Sequence, residues 1–208
     1  MEPQSDTTLV ILLFEHFTAL DIIGPYEVFS RLKGSKIYFA GKEKKSYKDL
    51  YGLELFAGYP LSKIKQADIL LIPGGFGIDA FLKDQEIIQW IRTIDQTSQW
   101  TTAVCSGALL LAETGLLDNR ICTTHWRRKD HLAKYKVTFV NDRYVRDRKY
   151  ITSAGVSAGI DMALYLAGQV AGELSAKTIQ LSMEYDPQPP YDCGSPEKAL
   201  REILTNLK

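Results

Sequence analysis

The sequence has no net charge, no long apolar run and few cysteines, and each absence excludes a class of protein. Its 25 basic and 25 acidic side chains balance, so no overall field attracts the chain to nucleic acid or to an anionic membrane. No apolar run approaches the ~20 residues of a membrane span, and the polar start MEPQSDTT lacks the pattern of a signal peptide. We therefore expect a cytoplasmic protein that has neither a membrane nor a nucleic acid as its partner.

The common metal-binding and phosphate-binding motifs are absent as well. Three cysteines, Cys105, Cys122 and Cys193, stand at wide spacing. An odd number of this kind is typical of free thiols in a reducing compartment rather than of a disulfide framework. Neither C-x-x-C nor H-E-x-x-H occurs, and there is no P-loop pattern. We therefore predict no metal and no cofactor.

What is present is a regular alternation of apolar runs with helical patterns. TLVILLF (8–14), ADILLIPGG (67–75) and WTTAVC (100–105) are typical of buried strands, and an amphipathic helical pattern covers 84–98. There is no internal repeat and no low-complexity linker. The pattern predicts a single α/β domain over residues 1–208 with a mostly parallel sheet. Reactive groups in such sheets lie beyond the carboxyl ends of the strands.

A cysteine stands where one of these strands turns into a helix. Ala103-x-Cys105-x-Gly107 has small residues two positions before and after the thiol, as a tight nucleophile elbow requires. We expect the free N–H groups at the start of the following helix to favour the thiolate. Since free cysteine is also among the most buried residue types, the motif alone leaves a structural role open.

A second stretch, GVSAG (155–159), matches the G-x-S-x-G pattern of serine hydrolases. In α/β-hydrolases the catalytic histidine follows the serine along the chain. Here the histidines are His16, His125 and His131, and all of them precede Ser157. We therefore favour the interpretation that these small residues allow a helix to pack closely on the sheet.

The turn PGGFG (73–77) also follows a strand. Its backbone N–H groups, together with that of Ser106, are candidates for an oxyanion-binding site beside Cys105. A plain strand-ending turn is the alternative.

Three side chains are candidates for acid–base chemistry. We expect the helix that contains Pro25 to begin near Gly24. Asp21 would then be either its cap or a carboxyl group in a partly apolar cleft, where a raised proton affinity suits a general acid or base. Glu15, nearer the end of the first strand, is the competing carboxylate. His125 follows another strand and is a candidate base for the thiol.

Four stretches, in this order, resemble the ThiJ/PfpI superfamily, which has a class I glutamine amidotransferase-like fold: FTALDIIGPYEVFSRL, ILLIPGGFG, AVCSGALLLAETGLLDNRICTTHW and ITSAGVSAGIDMALYLA. The likeness is greatest to the isonitrile (isocyanide) hydratase branch and covers about residues 8–196. It implies a flavodoxin-like three-layer α/β sandwich with a reactive cysteine at the elbow. It also implies a homodimer, for which the small-residue helix SAGIDMALYLAG offers a packing surface.

The resemblance also implies roles for individual residues. Cys105 matches the nucleophile, and Asp21 matches the acidic residue that the hydratase branch places beside it. Gly75 and the backbone of Ser106 match the oxyanion-binding positions, next to Gly74. Ser106 stands where a characterised member of the branch carries threonine, which keeps the hydroxyl group. The role of the residue that matches His125 differs between members of the superfamily.

The implied activity is that of a cofactor-independent lyase that hydrates a small-molecule isonitrile to an N-substituted formamide. Glyoxalase, deglycase or amidase chemistry at the same thiol is the alternative enzyme function, and a non-catalytic redox or ligand sensor is the alternative outside catalysis. Many relatives carry an AraC-type DNA-binding module. Because only twelve residues follow Pro196, we expect no such module and no direct role in transcription.

Overall fold

Strands and helices alternate along the chain in the computed structural model, which describes residues 6–207. The strands are β1 (Thr7–Leu12), β2 (Ser35–Gly41), β3 (Ser46–Lys48), β4 (Glu54–Phe56), β5 (Tyr59–Pro60), β6 (Ile69–Ile72), β7 (Trp100–Val104), β8 (Arg120–Cys122), β9 (Val137–Phe139), β10 (Tyr144–Asp147) and β11 (Tyr150–Ser153). The helices are α1 (Ala19–Phe29), α2 (Ile78–Phe81), α3 (Gln85–Thr97), α4 (Gly107–Glu113), α5 (Lys129–Leu132), α6 (Ala158–Ala171), α7 (Glu173–Ser182) and α8 (Arg201–Asn206). Within this described part of the chain, no helix is long and apolar enough to cross a membrane.

The central sheet has seven strands in the order β10-β11-β7-β6-β1-β2-β5. All neighbouring pairs are parallel except β10 and β11, which form an antiparallel hairpin at one edge. Helices α1, α6 and α7 pack together, α2, α3 and α5 pack around α4, and the sheet is flanked by helices. The expected flavodoxin-like α/β sandwich with a mostly parallel sheet is therefore confirmed.

The central strands are apolar throughout because helices cover both faces of the sheet. Every residue of β6 is buried, and so are the last four residues of β1. The carboxyl ends of β1, β6, β7 and β11 lie side by side in this sheet. The loops that follow these strands therefore meet at one edge. The candidates Glu15, Gly75 and Cys105 are on these loops, whereas Asp21 is in α1 and His125 follows β8.

Helix α1 begins earlier than the sequence predicts. It starts at Ala19, so Pro25 lies inside it rather than in its first turn. Proline in a helix interior removes one backbone hydrogen bond. Here the helix is held by packing against α6, where Gly24 approaches Ile160 and Pro25 approaches Gly159. The consequence for the site is that Asp21 lies within the first turn of α1 and not before it.

Helix α6 uses its small residues inside the chain. Its buried residues are Ala158, Gly159, Met162, Ala163, Leu166 and Ala167, and α6 packs against α1 and α7 of the same chain. The helix ends at Ala171 because Gly172 has φ +86°, a left-handed conformation that glycine adopts readily. The buried small residues of α6 are therefore covered within the chain and do not offer the packing surface for a second copy that the sequence predicts.

Candidate active site

The predicted elbow is present between β7 and α4. Cys105 has φ +57°, a left-handed conformation that costs a non-glycine residue about 1–2 kcal/mol. Hydrogen bonds hold its backbone in place: Cys105 N–H donates to the Ser153 carbonyl at 3.0 Å, and its own carbonyl accepts from the Thr124 hydroxyl at 2.8 Å. The thiol is thus fixed at the carboxyl edge of the sheet.

Glycines allow the elbow to approach the end of β6. A Cβ atom at Gly74 would lie 2.6 Å from the Ser106 nitrogen and 2.9 Å from Cys105 Cβ. A Cβ atom at Gly107 would lie 2.7 Å from the Pro73 carbonyl oxygen. Only glycine permits backbones to approach so closely at these two positions.

Asp21 is the acidic group beside the thiol. Its side chain is completely buried, and its Oδ2 atom accepts a hydrogen bond of 2.9 Å from the N–H of Gly74. Its Oδ1 atom has no hydrogen-bond partner among residues 6–207. The residue that caps α1 is Thr18, and the carboxyl group accepts no N–H of its own helix. The interpretation of Asp21 as a helix cap is therefore wrong.

Burial makes Asp21 a proton donor at neutral pH. It raises the pKa of this carboxyl from 3.8 to about 8, and the N–H of Gly74 and the neighbouring Cys105 side chain only partly oppose this effect. A carboxyl group with such a pKa is mostly protonated at pH 7. Because Gly74 holds Oδ2, the unpartnered Oδ1 is the atom that is free to carry the proton.

The thiol of Cys105 is protonated as well. Burial raises its pKa, and the charge that Asp21 carries once it is ionised, above about pH 8, raises it further. The N–H groups of Ser106 and Val156, together with the Ser106 hydroxyl, oppose this rise without overcoming it. The expectation that the helix N-terminus produces a thiolate is therefore wrong, because Cys105 is only 7% exposed and desolvation disfavours the charged form.

The N–H groups expected to bind an oxyanion already have partners. Gly74 N–H donates to Asp21, and Gly75 N–H donates to the Ser106 hydroxyl oxygen at 3.0 Å. That hydroxyl in turn donates to the Gly75 carbonyl at 3.3 Å, which fixes its orientation. Of the three predicted positions, only Ser106 directs its N–H at the sulfur.

The second donor to the sulfur, the N–H of Val156, was not predicted from the sequence. Val156 has φ +34° and lies in the GVSAG stretch, in the loop between β11 and α6. The sequence pattern that marks this loop is the run of small residues after a strand. That pattern indicates close helix packing and does not by itself indicate a hydrogen-bond donor to the thiol. Ser157 itself is exposed, and its hydroxyl accepts a hydrogen bond of 3.1 Å from Arg143.

The structure does not bring His125 to the thiol as a base. Its Nδ1 atom accepts a hydrogen bond of 3.2 Å from the N–H of Arg127, and its ring stacks on Trp126. Burial lowers its pKa, and the charges of Arg127 and Arg128 lower it further, which favours the neutral ring. The ring packs so closely on Gly155 that a Cβ atom there would overlap it. His125 therefore supports the loop that carries the Val156 N–H.

Glu15 faces a different part of the chain. Its Oε2 atom accepts a hydrogen bond of 3.0 Å from Lys48 N–H, and its Oε1 atom lies 3.4 Å from Lys45 Nζ. The side chain is 44% exposed. Of the two candidate carboxylates, the structure therefore brings only Asp21 to Cys105.

The candidate site is almost closed to solvent. Asp21 is inaccessible and Cys105 is nearly so. A surface cavity of about 230 Å³ lies at the amino ends of β1, β6 and β7, where Thr7, Asp68 and Trp100 are among its lining residues. The thiol is at the opposite end of the sheet, beyond the carboxyl end of β7. No group of His, Cys, Asp and Glu side chains in residues 6–207 is arranged to hold a metal ion.

Comparison with known proteins identifies the family to which the chain belongs. Residues 7–169 match the DJ-1/PfpI family, and the chain is a member of that family. It is 36% identical to the isonitrile hydratase of Pseudomonas putida over 197 residues, which are 95% of this chain and 86% of that protein.

Two further proteins show the range of the similarity. A ThiJ/PfpI family protein from Pseudomonas syringae has a crystal structure that superposes with a TM-score of 0.95 at 32% identity, over 98% of this chain and 85% of that one. The glutathione-independent glyoxalase DJR-1.2 of Caenorhabditis elegans is 24% identical over 168 residues, which are 80% of this chain and 89% of that protein. The family therefore includes more than one activity.

Proposed function

We propose that the protein hydrates an isonitrile to an N-substituted formamide, with Cys105 as the nucleophile and Asp21 as the general acid and base. One observation carries the proposal. A fully buried carboxyl group, protonated at neutral pH, lies beside the thiol, and its Oδ1 atom has no other partner in the described part of the chain. A redox sensor needs a reactive thiol but no proton donor held beside it.

An isonitrile suits this pair of groups because its terminal carbon accepts a proton and then becomes an electrophile. In the first step Asp21 transfers its proton to that carbon and a C–H bond forms. The sulfur of Cys105 forms the S–C bond to the same carbon, while the thiol proton passes to the Asp21 carboxylate. The product is a thioimidate on Cys105, and Asp21 is protonated again.

Water completes the reaction. Asp21 protonates the thioimidate nitrogen and accepts a proton from the water molecule whose oxygen adds to the carbon. The hydroxyl proton of the resulting adduct then moves to the sulfur, the S–C bond breaks and the formamide carbonyl forms. The cycle consumes one isonitrile and one water, and it leaves Cys105 and Asp21 in their starting protonation states.

The shape and polarity of the site favour this substrate over an α-oxoaldehyde. An isonitrile is linear at its reacting end, so its carbon can approach a thiol that is only 7% exposed. Attack on a carbonyl group creates an oxyanion that needs free N–H donors. The N–H groups of Gly74 and Gly75 are both engaged with side chains in this structure.

The comparisons support the same order of preference. The isonitrile hydratase is 36% identical over 95% of the chain, whereas the glyoxalase is 24% identical over 80%. Glyoxalase-type chemistry at Cys105 is therefore the second candidate function. Deglycase, amidase and sensor functions come after it, because no contact at the site favours them.

A substrate panel tests the proposal. Purified protein is given an aliphatic isonitrile, methylglyoxal and a small amide, and formation of each product is followed by NMR. We expect formamide from the isonitrile, no turnover by Cys105→Ala, and turnover lowered on the order of 10²–10⁴-fold in Asp21→Asn. Lactate from methylglyoxal without any formamide would instead establish the glyoxalase function. If none of the three compounds is consumed, the hydratase proposal fails and the sensor function gains support.

A further inference from the structure

Thr124 makes a contact that the proposed mechanism does not use. It follows β8, is 1% exposed, and its hydroxyl donates a hydrogen bond of 2.8 Å to the carbonyl oxygen of Cys105. In the described residues, one backbone N–H also donates to this carbonyl, that of Ala108 at 3.4 Å. The threonine therefore makes the shorter of the two bonds.

The geometry of the peptide bond connects this contact to the sulfur. The carbonyl of Cys105 and the N–H of Ser106 belong to one planar trans peptide, so they point in opposite directions and turn together. The N–H of Ser106 is one of the two backbone donors that face the Cys105 sulfur. Rotation of this peptide would therefore move the donor away from the sulfur.

We propose that Thr124 is a positioning residue, which holds the Cys105 carbonyl and thereby keeps the Ser106 N–H directed at the sulfur. The proposal rests on Cys105 being the nucleophile, as proposed above. Negative charge grows on the sulfur when the thiol proton leaves, and a donor that is already in place stabilises this charge without reorganisation. The strained backbone of Cys105, with φ +57°, makes such external support necessary.

The test compares two buried threonines. Thr124→Val removes the hydroxyl and keeps the shape of the side chain, while Thr124→Ser restores the hydroxyl. Thr102→Val is the control, because the Thr102 hydroxyl also donates to a backbone carbonyl, that of Leu70 at 2.9 Å, and is buried. The readout is the rate at which iodoacetamide alkylates Cys105 as a function of pH, followed by peptide mass spectrometry.

We expect Thr124→Val to slow the alkylation of Cys105 about tenfold at a given pH. The reason is that the Ser106 N–H would no longer be held at the sulfur, and the loss of one buried hydrogen bond to a reacting group has an effect of about this size. Its pH profile should move to higher pH, and Thr124→Ser should restore the wild-type profile. Thr102→Val should lower the melting temperature and leave the profile unchanged. The titratable group that faces the thiol is Asp21 on α1, so the series is repeated with Asp21→Asn present to separate the two titrations.

Equal profiles for Thr124→Val, Thr102→Val and the wild type would overturn the inference. If Thr124→Val does not fold, Thr124→Ala takes its place, because it removes the hydroxyl without placing a methyl group against the carbonyl. The outcome is independent of the substrate. A protein that turns over no isonitrile but loses Cys105 reactivity in Thr124→Val would support the positioning role and refute the hydratase function.

Discussion

The buried carboxyl of Asp21 predicts a pH-dependent stability that one substitution removes. In the folded protein its pKa is raised from 3.8 to about 8. Between these two values the folded state holds a proton that the unfolded chain has lost. The free energy of unfolding must therefore decrease as the pH rises through this window, by about 1.4 kcal/mol per pH unit. The stabilisation is complete below about pH 4 and is lost above about pH 8.

The whole window corresponds to roughly 6 kcal/mol, at about 1.4 kcal/mol per pKa unit. Asp21→Asn removes the titration and keeps the size of the side chain. Its amide oxygen can still accept the hydrogen bond that Gly74 N–H donates to Oδ2. We expect the wild type to lose about 3 kcal/mol relative to Asp21→Asn between about pH 5 and pH 7.5.

Urea unfolding at a series of pH values measures this difference directly. Glu15→Gln is the matched control, because it removes a carboxylate that is 44% exposed and leaves Asp21 in place. Its stability should follow the wild-type dependence on pH. Parallel curves for the wild type and Asp21→Asn would show that Asp21 is ionised in the folded protein, and the proton-donor role would then be refuted.

The remaining predictions concern activity and assembly. Cys105→Ala should abolish isonitrile hydration and change the free energy of unfolding by no more than about 2 kcal/mol, as measured by urea unfolding, because a single sulfur is lost. Asp21→Asn should lower kcat on the order of 10²–10⁴-fold, the usual effect of removing a general acid, whereas Glu15→Gln should stay close to wild type; the reverse order would identify Glu15 as the acid. The resemblance to ThiJ/PfpI proteins predicts a homodimer, which light scattering tests, and a mass near the 23.4 kDa of one chain would contradict it.

Local patterns in the sequence predict much of the fold and the position of the thiol. The apolar runs predict β1, β6 and β7, and the small residues around Cys105 predict the elbow, because strand burial and backbone crowding depend on neighbours along the chain. The same backbone crowding explains why positions 74 and 107 are glycine, since a Cβ atom at either position would overlap neighbouring backbone atoms.

Contacts between distant segments could not be predicted in this way. Asp21 is joined to Gly74 by a hydrogen bond across 53 positions, and Thr124 reaches Cys105 across 19. The left-handed conformation of Val156 is set by its loop, and no residue type in that loop requires it. The protonation state of the thiol depends on burial and on Asp21 together, so a rule based on the helix N-terminus alone gave the wrong direction.

The pH dependence of kcat/KM for isonitrile hydration tests the central claim most directly, since this quantity reports the ionisation of the free enzyme. With Asp21 as a proton donor of pKa about 8, kcat/KM should be constant near neutral pH and should fall as the pH rises above about 8. A mechanism that begins from an ionised thiol predicts the opposite, because the thiolate fraction increases with pH. A rate that rises through about pH 9 would therefore contradict the account.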